Sequence, residues 1–328
     1  MNPSDPFRIF DIANSSDFEA LTFQSFHYQY NHNPIYRSFC EHLKKGPNTV
    51  QALADIPFLP ISFFKSKKVL ASEKPIEIVF ESSGTTGTLS QHHLVDTSLY
   101  EKSFLEGFKR FYGNLEDYCI LALLPSYLER KGSSLIYMVD ALIKQSNHKD
   151  SGFYLNEFES LAEKLVTLEH EKSKTLLLGV SFALLDFVEQ YTMNLNHTLV
   201  METGGMKGRR KEIIREALHG QLKTGFGVNS VHSEYGMTEL LSQAYSKGEG
   251  IFNTPPWMKV FISDPEDPLQ IQGHNRTGGI NIIDLANWYS CPFIATQDLG
   301  KTYEDGSFEV LGRFDASDVR GCNLMVLH

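Results

Sequence analysis

Two short runs of almost purely apolar residues constrain this chain more than anything else in it, YCILALLP at 118–125 and TLLLGV at 175–180, and LVMETGG at 199–205 reads as a further strand running into a loop. A strand with one face in water alternates apolar and polar side chains, so a run without alternation belongs to a strand covered on both faces. The stretches after these runs carry helical signals. Phe158, Leu161, Leu165 and Leu168 form one stripe over residues 155–171, a further helix starts near Ser181, and another is expected over 209–222. Strands alternating with helices define an α/β architecture, in which ligands gather where loops leave the carboxyl ends of the strands.

With 328 residues, 41% of them hydrophobic, the chain has ample material for a core. Its formal net charge of -10 disfavours nucleic acid or an anionic membrane as the main partner, because both demand a basic face. The first residues lack a basic leader followed by an apolar core, and the apolar stretch 175–188 is interrupted by Gly, Ser and Asp. Cysteines at 40, 119, 291 and 322 form no CxxC pair, which argues against a structural zinc site and a disulfide framework. A cytoplasmic protein is expected, with neither nucleic acid nor membrane as partner.

One loop carries the strongest chemical signal. PIEIVFE at 75–81 reads as a strand running into SSGTTG at 82–87. Gly84 and Gly87 let the backbone bend and approach a ligand, while Ser82, Ser83, Thr85 and Thr86 offer hydroxyls to phosphate oxygens. The lysine of the GxxxxGK[ST] loop is absent, so this is a different phosphate cradle. Ser98 and Glu101 have capping-box spacing ahead of a helix with Tyr100, Phe104, Phe108 and Phe111 at helical intervals, a pattern of core packing. His92 and His93 follow the loop closely enough to reach a bound group, but adjacent histidines are poorly spaced for a metal.

Downstream, HSEYGMTE at 232–239 combines an aromatic ring able to stack on a purine, a threonine hydroxyl and a carboxylate able to hold Mg²⁺ between phosphates. TQDLG at 296–300 and GRFD at 312–315 add an acidic residue for a ribose diol and a nearby arginine. The order SSGTTG, Gly-Gly, YGMTE, TQDLG, GRFD resembles the motif series of the adenylate-forming superfamily, the acyl- and aryl-CoA ligases and their relatives. More narrowly, IPFLPISFFKSKKV at 56–69 and RGC at 320–322 make the chain similar to the acyl-protein synthetase family.

That resemblance implies an adenylate-forming large domain over residues 1–321, with mixed β-sheets flanked by helices, and a short tail over 322–328. It implies that ATP and Mg²⁺ are used to turn a carboxylic acid, in this family a fatty acid, into an acyl-adenylate with release of pyrophosphate. By the same resemblance Ser82, Ser83, Gly84, Thr85, Thr86 and Gly87 hold the β- and γ-phosphates, and Gly204 and Gly205 line the adenine pocket. Tyr235 lies against adenine with Gly236 beside it, Thr238 meets the α-phosphate, Glu239 binds Mg²⁺, Asp298 takes the ribose hydroxyls and Arg313 sits near the ribose.

Larger members of the superfamily continue beyond the last motif into a mobile domain carrying a catalytic lysine. This sequence stops at His328, and Lys207 and Arg209 are the substitutes considered for that cation. An acyl-adenylate is a mixed anhydride open to attack by a thiol. Cys322, beside Arg320 near the end of the chain, is the internal acceptor expected, with onward transfer to an acyl-accepting protein. Coenzyme A is the alternative acceptor. A third reading is a nucleotide-binding subunit with little catalysis of its own. A hydrolase finds no motif, since GxSxG is missing.

Overall fold

The computed structural model describes residues 5–82, 88–125, 132–204, 210 and 213–313. The chain forms two compact units, one made of Met1–Ser103, Thr238–Ser242 and Asn253–His328, the other of Phe104–Met237 and Gln243–Phe252.

The second unit is the α/β body that the apolar runs demand. Strands Gly152–Tyr154, Cys119–Leu123, Thr175–Val180, Thr198–Thr203 and His232–Tyr235 lie side by side in that order, all parallel, and Ala244–Ser246 adds an antiparallel strand beside the last. Every residue of Cys119–Leu123 and Thr175–Val180 is buried. Each such Leu stabilises the fold by about 1.5–3 kcal/mol relative to exposure, which is why these runs carry no alternation. The helices between them are Ser134–Ser146, Phe158–His170, Ser181–Val188 and Arg215–Phe226.

The last of these helices differs from the expected 209–222. Its apolar stripe continues past Leu222 to Phe226, which is buried and stacks on Phe187 at 5.6 Å. That burial extends the helix, and Ile214 in extended conformation precedes its first turn.

The first unit is built on antiparallel strands in the order Ile271–Gln272, Met258–Ser263, Thr277–Asp284, Phe293–Thr302, Phe308–Arg313, with Leu59–Pro60 pairing parallel to Phe293–Thr302. Between Met258–Ser263 and Thr277–Asp284 the chain makes a hairpin excursion, with Ile262 opposite Gln272. Helices Ser15–His32 and Pro34–His42 begin at asparagine caps, where Asn14 accepts from Asp17 N–H at 3.0 Å and Asn33 from Tyr36 N–H at 3.2 Å. They bury Phe26 and Tyr36 against Phe293.

The strand read before the phosphate loop is part of a separate hairpin, in which Ile78–Glu81 pairs antiparallel with Gln91–Leu94 ahead of the helix. Helix Thr97–Tyr112 starts one residue ahead of Ser98. Glu77 caps it instead, accepting from both the N–H and the hydroxyl of Thr97 at 2.8 Å. These bonds hold the Glu77 carboxyl below its usual range. A local capping-box signal lost to a residue twenty positions upstream that the hairpin brings to the helix start. The aromatics behave as core, with Tyr100, Phe104 and Phe108 buried.

Candidate active site

In the first unit the strand that leaves the SSGTTG loop lies against Thr238 and Glu239. Ser82 closes the loop at its base: its N–H donates to Ser90 O at 3.1 Å and its hydroxyl accepts from Ser90 N–H at 3.0 Å. Burial raises the Glu239 pKa, opposed by the Ser90 side chain and by the charges of Lys65 and Arg313. The carboxylate is only 5% exposed.

The backbone around Glu239 has no ladder to satisfy it, because 236–243 is irregular. Side chains do so instead. His92 Nδ1–H donates to Thr238 O at 2.9 Å, Asn287 Nδ2 donates to Glu239 O at 2.8 Å, and Asp284 accepts from Leu241 N–H and Ser242 N–H at 2.9 Å each. Asp284 also accepts from the Ser242 hydroxyl, which takes a hydrogen bond from Trp257 Nε1 at 3.0 Å. Burial raises Asp284 to about 6 against these donors. The far nitrogen of His92 accepts from Ser290 Oγ at 2.8 Å, and burial lowers this histidine to about 4. His92 is thus neutral and fully buried, a brace on the backbone and no contact for phosphate or acyl group.

Asp298 and Arg313 occupy directly opposed positions on neighbouring antiparallel strands. The register slips just past Asp298, between Leu299 and Gly300. A Cβ on Gly300 would lie 2.4 Å from Glu309 O, so the glycine of TQDLG lets these strands close.

In the second unit, strand pairing sets Thr203 opposite Glu234. Gly204, just past the first of these strands, and Tyr235, the last residue of the second, therefore follow this pair at the carboxyl edge of the parallel sheet. Tyr235 is half-buried with its ring edge toward Phe252 at 6.0 Å. Gly236 follows, and a Cβ there would fall 2.4 Å from Glu234 Oε1. That carboxylate also accepts from the Thr203 hydroxyl. Glu202 accepts from Ser181 Oγ at 2.9 Å and lies 3.7 Å from His219 Nε2, bracing the same strand end. His232 faces Tyr112 Oη at 3.3 Å, and burial lowers it to about 4, which makes it a structural partner.

Ser83, Gly84, Thr85, Thr86, Gly87, Gly205 and Cys322 lie outside the described residues, as do Lys207 and Arg209. Their neighbour Arg210 pairs with Asp186 and Glu189. Among the described residues no group of three or more His, Cys, Asp or Glu could hold a metal ion. Glu239 fits the usual Mg²⁺ arrangement of one protein carboxylate shared with phosphate oxygens.

Sequence reading missed Asp284, Asn287 and Ser290, and gave His92 a different role. The available signal was polar residues inside the apolar stretch 280–294, since a polar side chain in such a run is buried with a partner.

The parallel α/β unit carries Gly204 and Tyr235 at its strand ends, and the antiparallel unit carries Ser82 and the buried Glu239. The chain belongs to the acyl-protein synthetase family: the family model described as acyl-protein synthetase, LuxE, matches residues 2–328. Acid activation through an acyl-adenylate is the chemistry of that family. The chain is similar to a long-chain-fatty-acid–luciferin-component ligase of Vibrio harveyi, 25% identical over 330 residues, 92% of this chain and 84% of the relative. A ligase of the same name from Aliivibrio fischeri is 22% identical over 335 residues, 93% and 86% of the two chains.

Among solved structures, 2-hydroxyisobutyryl-CoA ligase in its postadenylation state superposes with a TM-score of 0.66 at 12% identity, covering 94% of this chain and 70% of that one. ATP-bound MatB from Rhodopseudomonas palustris gives 0.55 at 16% identity, covering 89% and 61%. The chain spans 50% of the length of an ATP-bound RpMatB-BxBclM chimera, with a TM-score of 0.54 at 18% identity. At these identities the likeness shows the fold. Among the described residues no helix is long and apolar enough to cross a membrane.

Proposed function

We propose that this chain activates a long-chain fatty acid with ATP and passes the acyl group to its own Cys322, for onward transfer to a partner protein. The chain length follows the names of the Vibrio and Aliivibrio relatives, which specify a long-chain fatty acid. The observation that carries the reading is the hydrogen bond from His92 Nδ1–H to Thr238 O at 2.9 Å, which ties the strand leaving the phosphate loop to the segment that carries the buried Glu239. On this reading Glu239 binds the metal beside the segment that grips the triphosphate.

In the first half-reaction a carboxylate oxygen of the acid attacks the α-phosphorus of ATP, an acyl–phosphate bond forms, and pyrophosphate leaves. Residues 82–87 grip the β- and γ-phosphates, and the Thr238 hydroxyl donates to an α-phosphate oxygen as charge develops there. Asp298 accepts from the ribose hydroxyls, Arg313 stands beside them, Gly204 and Gly205 border the adenine, and Tyr235 and Gly236 lie along it. Mg²⁺, held by Glu239, would neutralise the charge shared between phosphate oxygens.

In the second half-reaction a thiolate attacks the acyl carbonyl carbon, the thioester forms, and AMP leaves with the bonding electrons. Three of the four cysteines are unsuited to this. Cys40, Cys119 and Cys291 are fully buried, with burial pushing Cys40 to about 12, Cys119 to about 11 and Cys291 upward as well. A thiol so raised holds almost no thiolate at neutral pH. That leaves Cys322, with residues 322–328 as the tail that carries it and 1–321 as the adenylating domain. The three described cysteines are free thiols, which supports a reducing, cytoplasmic setting.

Purified protein incubated with ATP, Mg²⁺ and a series of fatty acids should catalyse acid-dependent ATP–pyrophosphate exchange and gain one acyl mass. Cys322→Ser should keep the exchange and lose the adduct. An adduct that persists in Cys322→Ser refutes the acceptor assignment. Exchange without any adduct, accompanied by CoA-dependent release of AMP, makes coenzyme A the acceptor instead.

A further inference from the structure

We propose that His92 is a positioning residue for adenylation, locking the Thr238–Glu239 peptide onto the strand that leaves the phosphate loop. The inference rests on the function proposed above and identifies what aligns its machinery. Ser90 and His92 are two residues apart at the start of strand Gln91–Leu94, so their side chains share one face. His92 Nδ1–H meets the carbonyl of Thr238 at 2.9 Å, while Ser90 closes the base of the loop against Ser82.

The histidine is itself anchored. Its Nε2 accepts from Ser290 Oγ at 2.8 Å, Phe64 packs edge-on against the ring at 5.6 Å, and the Ser290 carbonyl accepts from Asn33 Nδ2 at 2.8 Å. Asn287, in the turn that also carries Ser290, holds the carbonyl of Glu239 at 2.8 Å. His92, Asn33, Asn287 and Ser290 are all buried. The consecutive carbonyls of Thr238 and Glu239 are therefore both held by one buried network. The side chains of these two residues are the ones assigned to the α-phosphate and to Mg²⁺.

A neutral histidine suits the task because it donates at one nitrogen and accepts at the other. Phenylalanine would fill the space and make neither bond, while asparagine places an amide N–H near the Nδ1 position and keeps the bond to Thr238. Misplacing a reacting group by about 1 Å costs roughly 10²-fold in rate. The expected pattern is a loss in kcat with little change in KM for ATP, since adenine and ribose contacts lie elsewhere.

The test compares His92→Phe, His92→Asn and Ser290→Ala with wild type, after thermal melting has shown which are folded. Acid-dependent ATP–pyrophosphate exchange gives kcat and KM, and calorimetric titration of ATP with and without Mg²⁺ gives a readout independent of turnover. His92→Phe should lose about 10²-fold in kcat and most of the gain in ATP affinity that Mg²⁺ confers, while affinity in EDTA holds. His92→Asn should recover most of both, and Ser290→Ala, which frees the ring, should fall between.

If His92→Phe does not fold, Ser290→Ala decides: a wild-type kcat and Mg²⁺ response in that variant overturn the proposal. So does a folded His92→Phe with wild-type values, or His92→Asn and His92→Phe falling equally. Should wild type exchange with no acid, the proposed function fails, yet loss of the Mg²⁺ response in His92→Phe would still support the positioning role. An unchanged response would sink both.

Discussion

Asp284→Asn should remove one component of this protein's pH-dependent stability. Asp284 is fully buried, and its carboxyl is raised from 3.8 to about 6, chiefly by desolvation. Between those values the native state binds a proton that the unfolded chain has released. Stability from this group is therefore complete below about pH 4 and lost as pH rises through about 6. A shift of this size corresponds to about 3 kcal/mol. In the variant nothing titrates at this position, so wild type should gain about 3 kcal/mol on the variant between pH 7 and pH 4.

Wild type alone would hide the effect. His92, in the same unit, is lowered from 6.5 to about 4 by burial, so its contribution is present above about pH 6.5 and lost as pH falls through 4. The two opposite contributions nearly cancel, and only the difference between wild type and variant isolates Asp284. Urea denaturation followed by tryptophan fluorescence is the assay. Both tryptophans, Trp257 and Trp288, are buried in the first unit, and Trp257 Nε1 donates to the hydroxyl that Asp284 holds. With a slope of about 1–3 kcal/mol per molar urea, the midpoint difference should change by roughly 1–3 M over this range. The amide presents an N–H to the backbone donors, but that penalty is constant with pH. Parallel profiles for the two proteins from pH 4 to pH 7 would refute the reasoning.

Tyr235→Ala should raise KM for ATP about tenfold or more, as stacking on a base contributes about 1–3 kcal/mol, with melting temperature little changed; an unaltered KM removes Tyr235 from the adenine pocket. Glu239→Gln should cut ATP–pyrophosphate exchange by about 10²-fold or more and flatten its Mg²⁺ dependence, and full activity would end the metal assignment. Gly300→Ala should destabilise the first unit by about 2–3 kcal/mol, because the new methyl meets Glu309 O at 2.4 Å. Urea midpoints matching wild type would show that the strands can yield.

The sequence was most legible where burial alone decides structure. Thr175–Val180 and Cys119–Leu123 appear within the runs that lacked alternation, because a strand covered on both faces has no polar side to display. It was least legible where a partner arrives from far along the chain. Ser98 and Glu101 had capping-box spacing, yet the helix is capped by Glu77, which reaches Thr97 only because a hairpin intervenes. The motif residues could be assigned roles by resemblance, since YGMTE and TQDLG are contiguous. Their supports could not, because His92 lies 146 positions from Thr238, and Asn287 lies 48 from Glu239.

This division has a physical reason that bears on how the site tolerates change. Regular strands satisfy their backbone through neighbours, so a motif placed on one is held by the ladder whatever side chains surround it. Thr238 and Glu239 sit in an irregular segment, where their carbonyls and the N–H groups of Leu241 and Ser242 depend on His92, Asn287 and Asp284. A buried backbone group left without a partner costs about 1–3 kcal/mol, so removing any one of these side chains should loosen the segment while the sheets around it persist. Substitutions at positions with no part in the chemistry should therefore reduce turnover before they reduce folding. The order in which activity and structure are lost across His92, Asn287 and Asp284 variants measures how strongly alignment depends on these side chains.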